Sequence, residues 1–314
     1  MPRAASLGLV LLVATIFPAP SFAGRRGPPV VGRWNLTVTA PDGSTFPSWV
    51  EISHDKGRLS GRICNATGRT RELERVVWRK NQVTFVDSQV KDGETYQRVY
   101  TAKIRFGILD GTASSDKASS WSFLGTRAPK FKERRHVPWG KAVPLISKGL
   151  IGWRLRANKH GACWKEKGGV LANQKPCADL ISDGRYQDFK LHLDYKVAEG
   201  ASSAVYLRGR YRVELRARSA GEPTDESAGA IYGLLAPSED AAKAPDEWQT
   251  CEVTMVGRQV TVVLNGQKVV DRQEIAGPTG GALDSEEAVP GPIMLRGDGG
   301  EVAFRNIVIT PSVW

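Results

Sequence analysis

The chain has 314 residues, of which 41% are hydrophobic and 25% are charged, and its formal net charge is +11. This composition is too apolar for a disordered chain, and the length excludes a miniprotein held together mainly by disulfides. At about 150 residues per domain, the length indicates two domains. Beyond the N-terminal leader, no apolar run reaches the ~18 residues that a membrane-spanning helix needs.

The first 23 residues have the three parts of a secretory signal peptide. Arg3 supplies a positive charge, an apolar run extends from Leu7 to Phe17, and Ser21-Phe22-Ala23 provides the small residues of a cleavage site. The apolar run is too short to span a membrane, and no cysteine follows the cleavage site. We therefore expect an exported mature protein, periplasmic or extracellular, without a transmembrane segment.

Residues 24–125 are expected to form a small all-β domain. Short runs of alternating or β-branched residues recur from Trp34–Thr39 to Trp121–Leu124, and turn sequences such as Pro41-Asp42-Gly43 separate them. About eight strands at this spacing are typical of an up-and-down barrel or a small sandwich. The sequence does not decide between these two architectures.

Residues 126–147 are predicted to be an exposed basic linker that contains three prolines. Six basic residues and one glutamate lie within 127–141, and the charge of the whole chain is uneven, with +12 over residues 24–150 and −2 over residues 151–314. Nucleic acid binding is one interpretation of such a surface. Export argues against it, so no nucleic acid is expected. A solvated linker or a contact with acidic cell-envelope polymers is favoured.

Residues 148–314 are predicted to form a second all-β domain, a β-sandwich. Phe189–Val197 alternates apolar and polar residues, as a strand with one buried face does. Asn265-Gly266 between two β-branched runs is a strong hairpin signal. The one helical tendency is a short stretch at Glu239–Lys243.

The four cysteines, Cys64, Cys163, Cys177 and Cys251, lack Cys-x-x-Cys spacing and a neighbouring pair of histidines. A zinc site is therefore not expected. Cys163 and Cys177 flank one predicted strand segment, and an oxidising compartment permits a disulfide between them, which the sequence leaves open. Cys64 and Cys251 fall in different halves and are expected to be free and buried.

Two neighbouring strand segments carry polar side chains at alternate positions. Tyr206 and Arg208 alternate with Val and Leu in the first segment, and Arg212, Glu214 and Arg216 do the same in the second. Together these side chains would form a polar surface of the size of a sugar, where guanidinium groups hold vicinal hydroxyls and a glutamate acts as acceptor or base. A solvated ion-pair lattice has the same pattern, so the residues alone leave both readings open.

Common catalytic signatures are absent from the sequence, including Gly-x-Ser-x-Gly, a P-loop and His-Glu-x-x-His. The Glu-x-Asp-x-x-Glu strand motif of laminarinase-like enzymes is absent as well. Its absence disfavours glycoside hydrolysis by two carboxylates that flank the bond.

A series of motifs follows in order along the second half of the chain. They are Asp179-Leu180-Ile181-Ser182, Asp188-Phe189-Lys190-Leu191-His192, Val205–Tyr211, Gly229–Gly233, Glu247–Thr250, Gly280–Ser285, Gly291–Asp298 and Phe304–Ile307. This series resembles the 3-keto-disaccharide hydrolase domain family, from about Gly152 to Pro311. The N-terminal half is similar to the small β-domain that precedes it in some exported bacterial members.

The resemblance implies a concanavalin-like, laminarinase-like jelly roll that acts on glycosides already oxidised at C3, so an oxidised glycoside or another carbohydrate is the expected partner. A C3 ketone acidifies the C2 hydrogen, so one base, one acid and support for an enolate are sufficient. On the strand faces, Glu214 is the predicted base, and Arg208 and Tyr206 are predicted to support the enolate. The predicted substrate-binding residues are Arg212, Trp164, Tyr232, Trp248, Asp284 and Asp298.

Three segments differ from the family's usual motifs. Ser202-Ser203-Ala204 replaces Asn-Ser-Gly, Tyr211-Arg212-Val213-Glu214 replaces Tyr-Glu-Val-Gln, and Gly297-Asp298-Gly299-Gly300 replaces Gly-Asp-His-Gly. Loss of an imidazole that transfers a proton would leave a protein that binds sugars without cleaving them, so a non-catalytic, lectin-like protein is the alternative. Asp284 and Asp298 could ligate calcium or cap their own loops. No other cofactor is expected.

Overall fold

The computed structural model describes residues 27–313, except 66, 92, 118, 133, 135, 147–148 and 157–162. The predicted signal peptide lies outside these described residues. Within them every regular element is a β-strand, so the all-β fold class is confirmed. The described part of the chain accordingly contains no helix that could cross a membrane.

Nine antiparallel strands form the first sheet, and its order is β4-β3-β2-β1-β9-β8-β7-β6-β5. The strands are β1 (Gly32–Thr39), β2 (Thr45–Asp55), β3 (Arg58–Cys64), β4 (Thr70–Glu72), β5 (Arg75–Arg79), β6 (Gln82–Lys91), β7 (Glu94–Arg105), β8 (Ile108–Ser114) and β9 (Trp121–Arg127). The pairing of β1 with β9 joins the two ends of the meander, and β3 contacts β5. The first half is therefore an up-and-down barrel, one of the two predicted architectures.

Alternate side chains of this first sheet point inward and fill the barrel. Trp34, Leu36, Phe85, Tyr100 and Phe123 belong to one buried apolar cluster. The rings of Phe85 and Tyr100 stack with their centroids 4.7 Å apart. The period-2 alternation seen in the sequence thus places one face of each strand in the core.

The second half forms two sheets that pack on one another as a jelly-roll sandwich. Its strands are β10 (Val143–Pro144), β11 (Trp153–Leu155), β12 (Lys165–Lys167), β13 (Val170–Asn173), β14 (Leu180–Tyr186), β15 (Phe189–Val197), β16 (Ser203–Leu207), β17 (Tyr211–Leu215), β18 (Gln249–Val256), β19 (Gln259–Leu264), β20 (Gln267–Glu274), β21 (Gly291–Leu295) and β22 (Val302–Pro311). One sheet has the order β12-β13-β22-β15-β18-β19-β20, with β10 on β22, and the other has the order β11-β14-β21-β16-β17. Apolar side chains from both sheets meet in one core, as the predicted sandwich requires.

The barrel is attached to the jelly roll by buried polar contacts. Arg33 on β1 forms an ion pair with Glu287, whose side chain has no solvent exposure. The Tyr211 hydroxyl donates a hydrogen bond to the same carboxylate at 2.6 Å, and the Asn35 amide donates to the carbonyl oxygen of Ser285 at 2.9 Å. The loop between β20 and β21 is therefore held from both halves of the chain.

Cys163 and Cys177 form a disulfide with their Cα atoms 5.7 Å apart, which settles the pairing that the sequence left open. Cys64 and Cys251 are free and buried, as expected.

The prediction of a short helix at Glu239–Lys243 is wrong, because this segment is an irregular loop. Its Asp240 carboxylate accepts a hydrogen bond from the N–H of Ala242 at 3.0 Å, a local turn that competes with helix formation.

Candidate active site on the five-stranded sheet

The register of the five-stranded sheet aligns one residue from each of its five strands on one face, and three of the five are polar. Arg154 on β11 pairs with Ile181, and Ile181 pairs with Met294. Met294 pairs with Tyr206, and Tyr206 pairs with Arg212. Because directly opposed residues of antiparallel strands share a face, these five side chains form one row across the sheet, which we call the Tyr206 row.

A second row lies one pleat further along and shares this face. Glu214 pairs with Ala204, and the N–H of Arg296 donates to the Ala204 carbonyl oxygen at 2.9 Å. The N–H of Arg156 donates to the carbonyl oxygen of Asp179 at 2.8 Å, just before β14 begins. This second row, which we call the Asp179 row, places two carboxylates and two arginines next to the Tyr206 row.

Tyr206 lies at the centre of the two rows and is only 3% exposed. Its hydroxyl donates a hydrogen bond to the Gly280 carbonyl oxygen at 3.0 Å. Burial raises the pKa of Tyr206 to about 12, although the nearby charges of Arg212 and Arg296 lower it and that of Asp179 raises it further. At neutral pH this phenol is therefore a neutral hydrogen-bond donor.

Asp179 is a buried carboxylate at the end of the sheet where β14 starts. Its Oδ1 accepts a hydrogen bond from the N–H of Gly297 at 3.0 Å, and its Oδ2 lies 3.5 Å from Nη1 of Arg156. Burial raises the pKa of Asp179 above its ordinary value, against the opposing effects of the Gly297 hydrogen bond and the Arg156 charge. A buried carboxylate with a raised pKa is a candidate for proton transfer.

Glu214 is fully buried and both of its oxygens are engaged. Oε1 forms an ion pair with Arg212, and Oε2 accepts a hydrogen bond from Nε of Arg216 at 3.1 Å. The Arg212 guanidinium also lies over the ring of Tyr232, 4.1 Å from its centroid. Burial lowers the pKa of Arg212, but the charges of Tyr206 and Glu214 outweigh it and raise that pKa overall.

The structure does not bring Arg208 to the face of Tyr206. Strand alternation predicts that the two share a face, but the strand ends at Leu207, and Arg208 has a left-handed φ of 54°. This backbone begins the turn between β16 and β17 and breaks the alternation. The buried Arg208 guanidinium instead donates to the Gln187 carbonyl oxygen at 2.6 Å and to Asp188 at 3.2 Å.

The two tryptophans predicted to bind substrate lie in different places. Trp164 is buried behind the Asp179 row, where its indole N–H donates to the Ala178 carbonyl oxygen at 2.7 Å. Trp248 lies against the other sheet, with the Arg305 guanidinium 4.1 Å from its ring centroid. Neither ring is part of the two rows.

Asp284 and Asp298 also lie in different places, because each forms an ion pair with a different arginine. Asp284 is 2.5 Å from Nε of Arg210, near the contact with the barrel, whereas Asp298 is 2.5 Å from Nε of Arg296. Asp298 thus lies beside the Asp179 row, and its charge acts on Asp179. Among the described residues, no group of three or more His, Cys, Asp or Glu side chains could hold a metal ion.

Four charged residues of the two rows were given no role by the sequence reasoning: Arg154, Arg156, Asp179 and Arg296. Asp179 begins one of the family-like motifs, 179–182, and Arg296 lies within another, 291–298, which was the one available signal. The strand order that places them beside Tyr206 could not be read from sequence. With these residues included, the face has more arginines than carboxylates, and its exposed edge includes Arg154 and Asp298.

The sequence model of the family described as 3-keto-alpha-glucoside-1,2-lyase-like domain matches residues 141–310, more than half of the chain. The chain therefore belongs to this family of glycoside-acting domains, and the resemblance seen in its motifs is confirmed. Among proteins with curated descriptions, none matches the sequence.

Several solved structures are similar to the second half of the chain. A "Putative glycosyl hydrolase" from Parabacteroides distasonis ATCC 8503 has 28% identity and a TM-score of 0.43, over 54% of this chain and 98% of that chain. A second protein of the same name and strain has 17% identity and a TM-score of 0.40, over 51% and 88% of the two chains. The carbohydrate-binding module CBM66 from Bacillus subtilis has 13% identity and a TM-score of 0.33, over 52% and 98%.

Proposed function

We propose that this protein cleaves glycosides that carry a ketone at C3, by elimination across C1 and C2 followed by addition of water. The observation that carries the proposal is the cluster around Tyr206. Arg212 pairs with Tyr206, and Asp179 and Arg296 lie in the neighbouring Asp179 row, so a base candidate, a neutral donor and two cations share one face. Membership of the 3-keto-alpha-glucoside-1,2-lyase-like family supports the same chemistry.

The reaction requires few groups from the protein. A base takes the C2 proton, and the electron pair of that C–H bond passes to the C3 oxygen as an enolate. When the enolate collapses, C3 becomes a ketone again, a C1–C2 double bond forms, and the C1–O bond breaks. The departing oxygen takes a proton, and water then adds to the enone at C1 while C2 regains a proton, which completes net hydrolysis.

The cluster supplies the enolate with matched partners. The guanidinium groups of Arg212 and Arg296 offer positive charge and fixed N–H donors, and Tyr206 offers a neutral O–H donor because its pKa is raised by burial. Donors that are fixed before the reaction stabilise charge as it develops, without reorganisation during the reaction. Only a glycoside with a C3 ketone forms this enolate, so the face would assist the oxidised substrate and not the unoxidised one.

Asp179 and Glu214 are the two candidates for the base. Glu214 has no exposure and both of its oxygens are ion-paired with arginines. Asp179 lies beside the partly exposed Arg156 and Asp298, and its raised pKa makes its carboxylate a stronger base. We propose Asp179 as the base and Glu214 as the group that orients Arg212 and Arg216; the sequence-based prediction that Glu214 is the base is tested beside it.

The test compares the mature protein with D179N, E214Q and D183N, on a 3-keto-glucoside and on the unoxidised glucoside. Asp183 is an exposed residue of strand β14, which begins directly after Asp179, and serves as the matched control. Ultraviolet absorbance reports the enone, and mass spectrometry reports the released sugar. We expect turnover of the oxidised substrate alone, a loss of about 10²–10⁴-fold in D179N, and no change in D183N.

If E214Q loses turnover while D179N retains it, Glu214 is the base. If the wild-type protein turns over neither substrate, the proposed reaction is wrong.

A non-catalytic carbohydrate-binding protein is the second candidate. The observation that favours it is that Tyr206, Arg212 and Glu214 are buried, and that glycine stands at position 299, where the family usually has a histidine. Titration calorimetry of the 3-keto-glucoside with the wild-type protein separates the two. Binding without release of sugar would favour this second function.

We also propose that the chain is exported, with cleavage after Ala23. The support is the sequence of the leader, with its positive start, its apolar run and its small residues before the site. N-terminal sequencing of the protein recovered from the periplasm or medium tests this, and we expect the mature chain to begin at Gly24. A chain retained with its leader in the cytoplasm would contradict the proposal.

A further inference from the structure

The turn between β3 and β4 in the barrel is packed against two loops of the jelly roll. The N–H of Thr70 donates to the Gly233 carbonyl oxygen at 3.2 Å. Gly68 has a φ of +82°, and a Cβ placed on it would lie 2.0 Å from Cα of Gly280. Conversely, a Cβ on Gly280 would lie 2.7 Å from the Thr67 carbonyl oxygen. Glycine is therefore required on both sides of this contact.

One asparagine side chain joins the described residues of the turn by three hydrogen bonds. Oδ1 of Asn65 accepts hydrogen bonds from the N–H of Thr67 at 3.1 Å, from the Thr67 hydroxyl at 2.7 Å and from the N–H of Arg69 at 2.9 Å. The Asn65 side chain is largely buried. A turn fixed in this way can transmit position to whatever it contacts.

One path leads from this turn to Arg212. The Arg69 guanidinium forms an ion pair with Glu226, and a Cβ placed on Gly233, the neighbour of Tyr232, would lie 3.0 Å from Cα of Arg69. The ring of Tyr232 supports the Arg212 guanidinium at 4.1 Å, and Arg212 is ion-paired with Glu214. Arg69 thus packs against the backbone next to Tyr232, on whose ring an arginine of the Tyr206 row rests.

A second path leads to Tyr206 and Arg156. Gly280, whose Cα and N lie next to Gly68, accepts the hydrogen bond from the Tyr206 hydroxyl through its carbonyl oxygen. The carbonyl oxygen of the following residue, Gly281, accepts from Nη1 of Arg156 at 2.8 Å. The loop that the barrel contacts therefore orients a side chain from each row.

We propose that the β3–β4 turn of the barrel positions the candidate active site of the jelly roll, with Gly68 and Arg69 as positioning residues. The inference rests on the proposed function where it concerns turnover, but the contacts themselves do not depend on it. Neither residue touches the reacting atoms in this scheme. Both act through Tyr232 and the loop at residues 280–281, so the jelly roll needs the barrel for a correctly arranged site.

The chemical consequence is a loss of alignment. Misplacement of reacting groups by about 1 Å can cost about 10²-fold in rate. A disturbed turn would move Tyr232 away from Arg212 and the 280–281 carbonyl oxygens away from their donors. We therefore expect kcat to fall by a larger factor than KM rises.

The test uses the full mature chain with R69A, R69K, G68A and the matched control G57A. Gly57 has the same φ of +82° in the β2–β3 turn of the barrel, but no atom lies within 4 Å of the position of its added Cβ. Hydrogen–deuterium exchange of the peptides that contain Tyr206, Tyr232 and Gly280 is measured beside kcat, KM and Tm. We expect R69A to lower kcat about tenfold and G68A about 10²-fold.

In the same variants we expect faster exchange in those three peptides. R69K should recover part of the kcat that R69A loses, because lysine keeps the positive charge and an N–H donor group. The control G57A should change Tm slightly and leave kcat, KM and the exchange rates unchanged. Unchanged exchange in R69A and G68A, or an equal response in G57A, would overturn the inference. If the wild-type protein has no turnover of 3-keto-glucosides, the proposed function fails, while the exchange data still decide whether the barrel positions the two loops.

Discussion

Arg33 and Glu287, separated by 254 positions in the chain, form an ion pair in which both side chains are buried. Arg33 belongs to β1 of the barrel, and Glu287 lies in the loop between β20 and β21 of the jelly roll. Burial lowers the pKa of Arg33, and the Glu287 charge opposes that shift. The same carboxylate holds the Tyr211 hydroxyl, so one glutamate links the barrel to β17, the strand that also carries Arg212.

Removal of Arg33 should therefore weaken the attachment of the barrel. In R33A the Glu287 carboxylate stays buried without its cation, and breaking a buried pair in this way costs about 3–5 kcal/mol. We expect differential scanning calorimetry to show one transition in the wild-type protein and a separate, earlier transition in the variant. The matched control is R62A, since Arg62 and Glu51 form an exposed pair on the barrel worth about 0–1 kcal/mol. Equal effects of both variants would show that the buried pair has no special role.

The fold was predictable from sequence because its signals are local. Phe189–Val197 alternates apolar and polar residues, and Asn265-Gly266 marks a hairpin; both appear in the structure as β15 and as the turn between β19 and β20. The choice between barrel and sandwich depends on the pairing of β1 with β9, whose residues are about 90 positions apart. Such pairing leaves no local pattern in the sequence.

The same limit applies to the candidate site. Tyr206, Arg212 and Glu214 lie on one hairpin, so strand alternation placed them on one face. Arg296 and Asp179 reach that face only because β21 lies beside β16 and β14 lies beside β21 in the sheet, which no local rule gives. Arg208 was predicted on the wrong face because the strand alternation was continued one residue past the end of its strand.

The disulfide between Cys163 and Cys177 should stabilise the jelly roll. It closes a loop with a sequence separation of 14 residues, and cross-links of this size stabilise proteins by about 3 kcal/mol. We expect C163S to have a lower Tm than the wild-type protein, and a reducing agent to lower the wild-type Tm to the same value. As a control, C251S removes a thiol that is buried and free, so the reducing agent should still lower its Tm. A wild-type Tm that does not respond to reduction would contradict the prediction.

Tyr206 should contribute to turnover through its hydroxyl alone. Y206F keeps the buried ring but removes the donor that faces Gly280 in the free protein and that we assign to the enolate during reaction. Removal of one such donor typically costs about 10²–10³-fold in kcat. The comparison variant is Y96F, which removes a hydroxyl that donates to Gln89 inside the barrel. A Y206F enzyme with wild-type kcat would exclude Tyr206 from the reaction.

Asp179 should give both the reaction and the stability a dependence on pH. Burial raises its pKa above 3.8, and the proposed base is the ionised form, so turnover should rise with pH through a midpoint above that value. For stability the sign is opposite. Between 3.8 and the raised pKa the folded protein binds more protons than the unfolded chain, so the free energy of unfolding falls as pH rises.

D179N separates these two effects, because an amide keeps an acceptor for the Gly297 N–H but carries no charge to bury. Relative to wild type, we expect D179N to have a higher Tm at pH 7, a smaller difference near pH 4, and almost no turnover at either. Thermal unfolding and initial rates at both pH values check this, with D183N as the exposed control on strand β14, four residues away. A D179N protein less stable than wild type at pH 7 would show that the Arg156 pair outweighs the cost of burying the charge.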